Sequence, residues 1–285
     1  MEPMQDIRPA SGRQEAAPAQ RSVLPRAPAR LLPDWYAWAG PYAWSAGLEP
    51  ETCPCRIVRK ERALYLRGCL AHRNPQIESL MAAAEWYVFS EWVDRLAARH
   101  LVCHAAALER NGAALLLMGK TGAGKSTLAF HLVRRGYRYL GDEFAVIRRD
   151  TLDAYAFPKA LCLKKPAAEL AAPPNSCFEI LPYPPDFAVR YKGAVCCLPR
   201  ESIVPPAGMR FPVRWVIQLD REAGAQALVS TPKWQAAMSI YESSYREGEE
   251  SFRVVAMLAR QAAFWTLGRT EPDRMAERIA SLTRE

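Results

Sequence analysis

Apolar residues recur at helical spacing across residues 78–100, where Leu80, Met81, Trp86, Val88, Phe89, Trp92, Val93 and Leu96 are separated by acids and bases; the pattern predicts one long amphipathic helix. The period then gives way to continuous apolar runs, at residues 101–108 and again at 113–117, which read as buried strands. Between these two runs stands Arg110-Asn111-Gly112, and the Asn-Gly pair predicts a hairpin. Apolar positions Leu128, Phe130, Leu132 and Val133 predict a further helix starting near Ser126, closed by Gly136. Residues 137–140 read as a strand ending at Gly141-Asp142-Glu143, and residues 144–147 as another.

Prolines punctuate residues 156–212 so closely that the pattern predicts loops over the top of a sheet. Beyond them the predicted elements are a buried strand at 213–219, a helix at 231–244 entered through Pro232, a helix at 252–263, a strand at 263–267 and a closing amphipathic helix at 271–282. Upstream, residues 1–30 are rich in Pro, Ala, Gln and Arg without a sustained apolar period and predict a mobile tail. Residues 31–100 begin with Trp35, Tyr36, Trp38, Tyr42 and Trp44, followed by short strand candidates at 56–58 and 63–66. They predict a small β-rich subdomain, with the aromatics as core rather than as a stacking surface for a ligand. Residues 101–285 then form the principal domain.

At 285 residues and 50% hydrophobic content the chain can bury a substantial core. No stretch approaches the ~18 consecutive apolar residues of a membrane span, and charges stand where a signal peptide would be apolar, so the expected location is cytoplasmic, with no membrane partner. The formal charge of +8 is spread over short doublets such as Arg134-Arg135 and Arg148-Arg149 with no nucleic-acid motif beside them, and no nucleic-acid partner is expected. The eight cysteines are scattered. Cys53-Pro54-Cys55 and Cys196-Cys197 lack the C-x-x-C spacing of a zinc site and read as reduced thiols.

The chemistry concentrates after the 113–117 strand. Gly119-Lys120-Thr121-Gly122-Ala123-Gly124-Lys125-Ser126-Thr127 contains a complete G-x-x-x-x-G-K-[ST] phosphate loop. The glycines let successive N–H groups turn toward phosphate oxygens, Lys125 supplies a compact charge to the outer phosphates, Ser126 offers a hydroxyl to Mg2+, and the helix that follows adds its positive end. Asp142 and Glu143 follow a predicted strand, where one carboxylate reaches a metal and another takes a proton from an attacking hydroxyl. His104 is a third candidate, able to tune Asp142 if its strand lies beside that of the loop. A binding module gated by nucleotide, with little catalysis, is the alternative open to the same loop.

His104-Ala-Ala-Ala-Leu, the hairpin, Gly119-x-x-Gly122-x-Gly124-Lys125-Ser126, Arg135-Gly136-Tyr137 and Gly141-Asp142-Glu143 together resemble the catalytic domain of HPr kinase/phosphorylase. The closer resemblance is to HPr-kinase-related serine kinases, a group that includes kinases of lasso-peptide precursors; the stretch from Ala156-Phe157-Pro158 to Leu163-Lys164 is similar to theirs. The resemblance implies an α/β fold, a curved mixed P-loop sheet flanked by helices and shared with phosphoenolpyruvate carboxykinase-like proteins. It also implies ATP and Mg2+ as cofactors, Asp142 as base toward a seryl hydroxyl, His104 as its support, and Glu143 with Ser126 at the metal. The parent enzyme has Asp where Glu143 stands. No Arg-Gly-Leu-Gly signature is present, and Lys120-Thr121 replaces the usual acidic and serine positions of the loop. These departures point to a one-way kinase acting on a serine of a peptide or carrier protein other than HPr, and the sequence does not fix an oligomeric state.

Overall fold

The computed structural model describes residues 55–58, 60–158, 161–163, 177–180, 195–224, 228–246 and 248–284. The predicted tail and the aromatic cluster from Trp35 to Trp44 lie outside these residues, as do Cys53, Lys159, Ala160 and Lys164. Strands β1 (Cys55–Val58), β2 (Ala63–Leu66) and β3 (Cys69–Arg73) form a small antiparallel sheet. Helix α1 (Ile77–Leu96) packs on it, with Leu80 and Ala84 of the helix meeting Leu64 of β2. The helix stops short of its predicted end because His100 already begins a strand.

The run predicted as one strand at 101–108 is two: β4 (His100–Cys103) and β5 (Ala106–Arg110), separated by a bend at His104. At that break the chain changes partners. Strand β4 pairs with β8 (Ala145–Arg148), whereas β5 lies between β6 (Ala113–Met118) and β7 (Arg138–Gly141). The β5–β6 turn carries positive φ at both Asn111 (52°) and Gly112 (78°), the geometry of a twisted two-residue hairpin. Strand β9 (Asp153–Tyr155) has no counterpart among the predicted elements.

The long strand β13 (Arg210–Asp220) organises the nine-stranded sheet. It pairs antiparallel with β9 at its start, then parallel with β6 and with β15 (Ala263–Gly268). Strand β14 (Leu228–Ser230), also absent from the predicted elements, lies antiparallel to β15. The Pro-rich stretch is not loops alone: β10 (Leu161–Leu163), β11 (Phe178–Ile180) and β12 (Val195–Pro199) make a second three-stranded antiparallel sheet.

Both faces of the main sheet are covered, which is why β6 reads as an unbroken apolar run. Ala113, Leu115 and Leu117 face a core shared with α2 (Lys125–Val133), α5 (Pro272–Leu282) and the second small sheet. Ala114, Leu116 and Met118 face the opposite core, with α3 (Lys233–Ser243) and α4 (Glu249–Gln261). The architecture is thus α/β, a mixed sheet flanked by helices. Helix α2 ends in two closing hydrogen bonds, Tyr137 N to Leu132 O (3.2 Å) and Gly136 N to Val133 O (2.9 Å), which turn the chain straight into β7.

Gly141, the last residue of β7, has no room for a side chain: an added Cβ would stand 2.5 Å from the Phe157 carbonyl oxygen and 3.2 Å from that of Phe144. Gly141→Ala is therefore expected to destabilise the fold by about 1–3 kcal/mol, as overpacking against backbone does, read as a lower midpoint in denaturant unfolding. An unchanged midpoint would mean that β7 does not approach Phe157 this closely.

Candidate active site

The strand order β6-β5-β7 brings the sequence-predicted residues to one end of the sheet. Because β5 runs antiparallel to both neighbours, with Ala106 opposite Leu117 and Ala107 opposite Gly141, the start of β5 lies beside the ends of β6 and β7. His104 precedes the first strand, the phosphate loop follows the second, and Asp142-Glu143 follows the third.

The loop residues from Gly119 to Gly124 connect β6 to α2. Gly119 has φ of 145°, and an added Cβ would stand 2.9 Å from the Leu219 carbonyl oxygen, so the loop starts with its backbone pressed against β13. Gly122 and Gly124 also lie at positive φ, while Lys120 and Thr121 are exposed. Lys125, at the first turn of α2, is 7% exposed, and its Nζ donates to the Gly119 carbonyl at 2.7 Å. Burial pulls its pKa below the ordinary lysine value of 10.5, against the opposing attraction of Asp142 and Glu143. One residue on, Ser126 Oγ donates to Asp142 Oδ2 at 2.7 Å. Thr127, half-buried, continues the helix.

Asp142 is 2% exposed, so its carboxylate is held in a low-dielectric setting facing the loop's lysine and serine. Glu143 is half-buried at φ of 67°, a left-handed conformation that costs a non-glycine residue about 1–3 kcal/mol and recurs at functional sites. Its carbonyl accepts a hydrogen bond from Tyr245 Oη at 3.3 Å. His104 lies against the same wall: its backbone N–H donates to Ser243 O at 2.7 Å, and its ring is 6.3 Å from that of Tyr245, which is in turn 5.1 Å from Phe144.

Two residues that the sequence pattern did not single out join this end of the sheet. Tyr245 forms the wall just described. Arg221, one residue past β13, donates from its guanidinium to the Gly122 carbonyl, which sets a second cation beside the loop. The available signal was positional: Arg221 leaves the carboxyl end of the strand paired with β6, where ligands of α/β sheets gather.

Ser126, Asp142 and Glu143 offer hard oxygen donors, the set that suits Mg2+ shared with phosphate oxygens. Among the described residues no group of three or more His, Cys, Asp or Glu is placed to hold a metal by itself. Burial pushes the Cys103 and Cys197 thiols up to about 12, so neither supplies a thiolate near neutral pH. No helix among the described residues is long and apolar enough to cross a membrane.

No family model matches the chain. It is 32% identical over 98 residues to an HPr kinase/phosphorylase of Lactobacillus johnsonii, a match covering 33% of this chain and 30% of the relative. It is 37% identical over 62 residues to an HPr kinase/phosphorylase of Leptospira biflexa, covering 22% of this chain and 19% of the relative. The matches thus span a third or less of these relatives' lengths. Among solved structures it is similar to the HPr(Ser) kinase/phosphatase from Coxiella burnetii, with a TM-score of 0.31 and 12% identity over 64% of this chain and 88% of that one.

The depressed pKa of Lys125 has a measurable sign. A nucleoside triphosphate held by this loop would bind the protonated amine, so its affinity, followed by calorimetry at fixed Mg2+, is expected to decline as pH rises through a value below 10.5, the ordinary lysine figure. Lys125→Arg keeps its charge in that range and should remove the decline. The same pH profile in both proteins would show that another group controls it.

Proposed function

We propose that this chain, HPr kinase-like in its relatives, is an ATP-dependent kinase that transfers the γ-phosphoryl group to a serine hydroxyl of a peptide or protein. The observation that carries this reading is the 2.7 Å hydrogen bond from Ser126 to Asp142, which joins a complete phosphate loop to a buried carboxylate with a second acid beside it. A Ser–Asp pair of this kind is what P-loop proteins use to hold Mg2+; the second acid, Glu143, leaves one carboxylate for the acceptor hydroxyl.

In this reading Lys125, the loop amides and Arg221 balance charge on the phosphates, and the fixed dipoles need no rearrangement as that charge moves outward. Asp142 takes the proton of the acceptor hydroxyl as its oxygen bonds to the γ-phosphorus and the bond to the β-phosphate oxygen breaks, leaving ADP. Ser126 and Glu143 would hold Mg2+, which supplies neutralising charge between the outer phosphates. His104 supports the wall behind the acids. The missing Arg-Gly-Leu-Gly signature and the Lys120-Thr121 pair favour transfer in one direction, to an acceptor other than HPr.

Asp142→Asn is expected to lower phosphoryl transfer by about 10²–10⁴-fold, the range for loss of a general base, while ATP binding is retained. Glu143→Gln should instead raise the Mg2+ concentration needed for half-maximal rate. Both are read with radiolabelled ATP and serine-containing peptides. Normal turnover by Asp142→Asn would remove it as base, and a raised Mg2+ requirement in that variant alone would exchange the two acids' roles. ATP binding with no transfer to any acceptor by the unaltered protein would favour the nucleotide-gated binding module.

A further inference from the structure

The main sheet ends in an edge whose surroundings differ from those of a protected one. Among the described residues β14 pairs with β15 alone, so the outward N–H and C=O groups of Leu228–Ser230 form an open strand edge. A cleft of about 390 Å³ opens at its Ser230 end, between Lys233 and the start of β15. A second of about 630 Å³ opens at Leu228, against Arg274 and Arg278 of α5. Trp265 lines both. Apolar surface is left out here: Val229 on the strand is 56% exposed, and Trp234, next in sequence to Lys233 of the first cleft, is 72% exposed.

Register ties this edge to the phosphate loop. Leu228 is opposite Leu267, Leu267 is opposite Leu219, and Leu219 presses its carbonyl on Gly119. The start of β14 is therefore level with the start of the loop, three strand spacings from β6, and a strand added outside β14 would stand four spacings away, about 19 Å, a gap that about six extended residues cross.

We propose that β14 is the docking edge for an extended acidic segment of the acceptor polypeptide, which adds to the sheet as a further strand. The inference rests on the kinase reading for the identity of the occupant. Strand addition supplies main-chain hydrogen bonds whatever the sequence, and alternate side chains of the added strand reach opposite faces of the sheet. Charge selects the occupant: among the described residues that line the two clefts, the charged ones are Lys233, Arg274, Arg278 and Glu277, a positive excess that favours an acidic segment over a neutral or basic one. Val229 and Trp234 offer contact to apolar residues interleaved with the acids. A segment added antiparallel to β14 delivers the residues that follow it to the loop end of the sheet.

The test uses the full chain without nucleotide and a fluorescein-labelled synthetic peptide of alternating Glu and Val, followed by anisotropy. Binding is expected, weakened about tenfold or more when alternate backbone amides of the peptide are N-methylated, and similarly when Lys replaces Glu. Val229→Glu and Arg274→Glu, both at exposed positions, should each weaken it by about tenfold while ATP affinity and the far-UV spectrum stay unchanged. Undiminished binding of the N-methylated peptide would overturn strand addition, and undiminished binding of the Lys peptide would overturn the acidic occupant. No binding of the unmodified peptide would overturn the proposal, as would a concentration-dependent dimer that excludes the peptide and is lost in Val229→Glu, which would assign the edge to a second copy of this chain. Peptide binding that meets every expectation in a protein that transfers phosphate to no acceptor would place the failure in the kinase reading and leave the docking edge standing.

Discussion

The hydrogen bond between Ser126 and Asp142 is the constraint on which the candidate site depends. It connects the start of a helix to the end of a strand that is not the helix's own, so it forms only if β7 is placed two positions from β6 with β5 between them. The hairpin at Asn111-Gly112 fixes the first of those pairings and the tight closure of α2 at Gly136 delivers the chain to the second. A carboxylate buried to this degree is costly to leave unpaired, so the serine and Lys125 in front of it stabilise the fold as well as preparing the site.

Around that bond the structure sets groups in conformations they would not adopt alone. Lys125 is kept out of water against the loop's own carbonyl, and Glu143 is held in left-handed backbone. Both have local supports: opposing acids in the first case, the Tyr245 hydroxyl in the second. The supporting segment, residues 243–246, is itself tied to β4 through Tyr245 N to Val102 O (2.9 Å) and to His104 through Ser243. The acids are thus braced from the helix layer opposite α2, a connection across the sheet rather than along it.

Local signals made much of this legible. The phosphate loop, the hairpin and the buried runs around them announce themselves because a strand covered on both faces must be apolar at every position, as β6 is. The break at His104 was not legible, because β4 and β5 are both buried and the polar His104 between them is too brief an interruption to end an apolar run. Strands β9 and β14 are three residues each, shorter than any periodicity can mark, and β10 to β12 hide among prolines that suggest loops. Arg221 reaches the loop from 99 residues beyond Gly122, through a pairing of strands that no local pattern encodes. The placement of Asp142 against Ser126 is of the same kind: the residues were visible in sequence, their meeting was not.

Strand β13 carries a consequence for how the molecule is made. Its parallel partners are β6, about a hundred residues earlier, and β15, which follows only after two helices. Contacts of such wide sequence separation are reached late and slowly, since the connecting chain must first lose its freedom. During synthesis the phosphate loop leaves the ribosome long before the strand that presses on Gly119 exists. Until β13 arrives, β6 presents an apolar edge to its surroundings, and that interval is when the nascent chain is most exposed to aggregation and most dependent on whatever shields it.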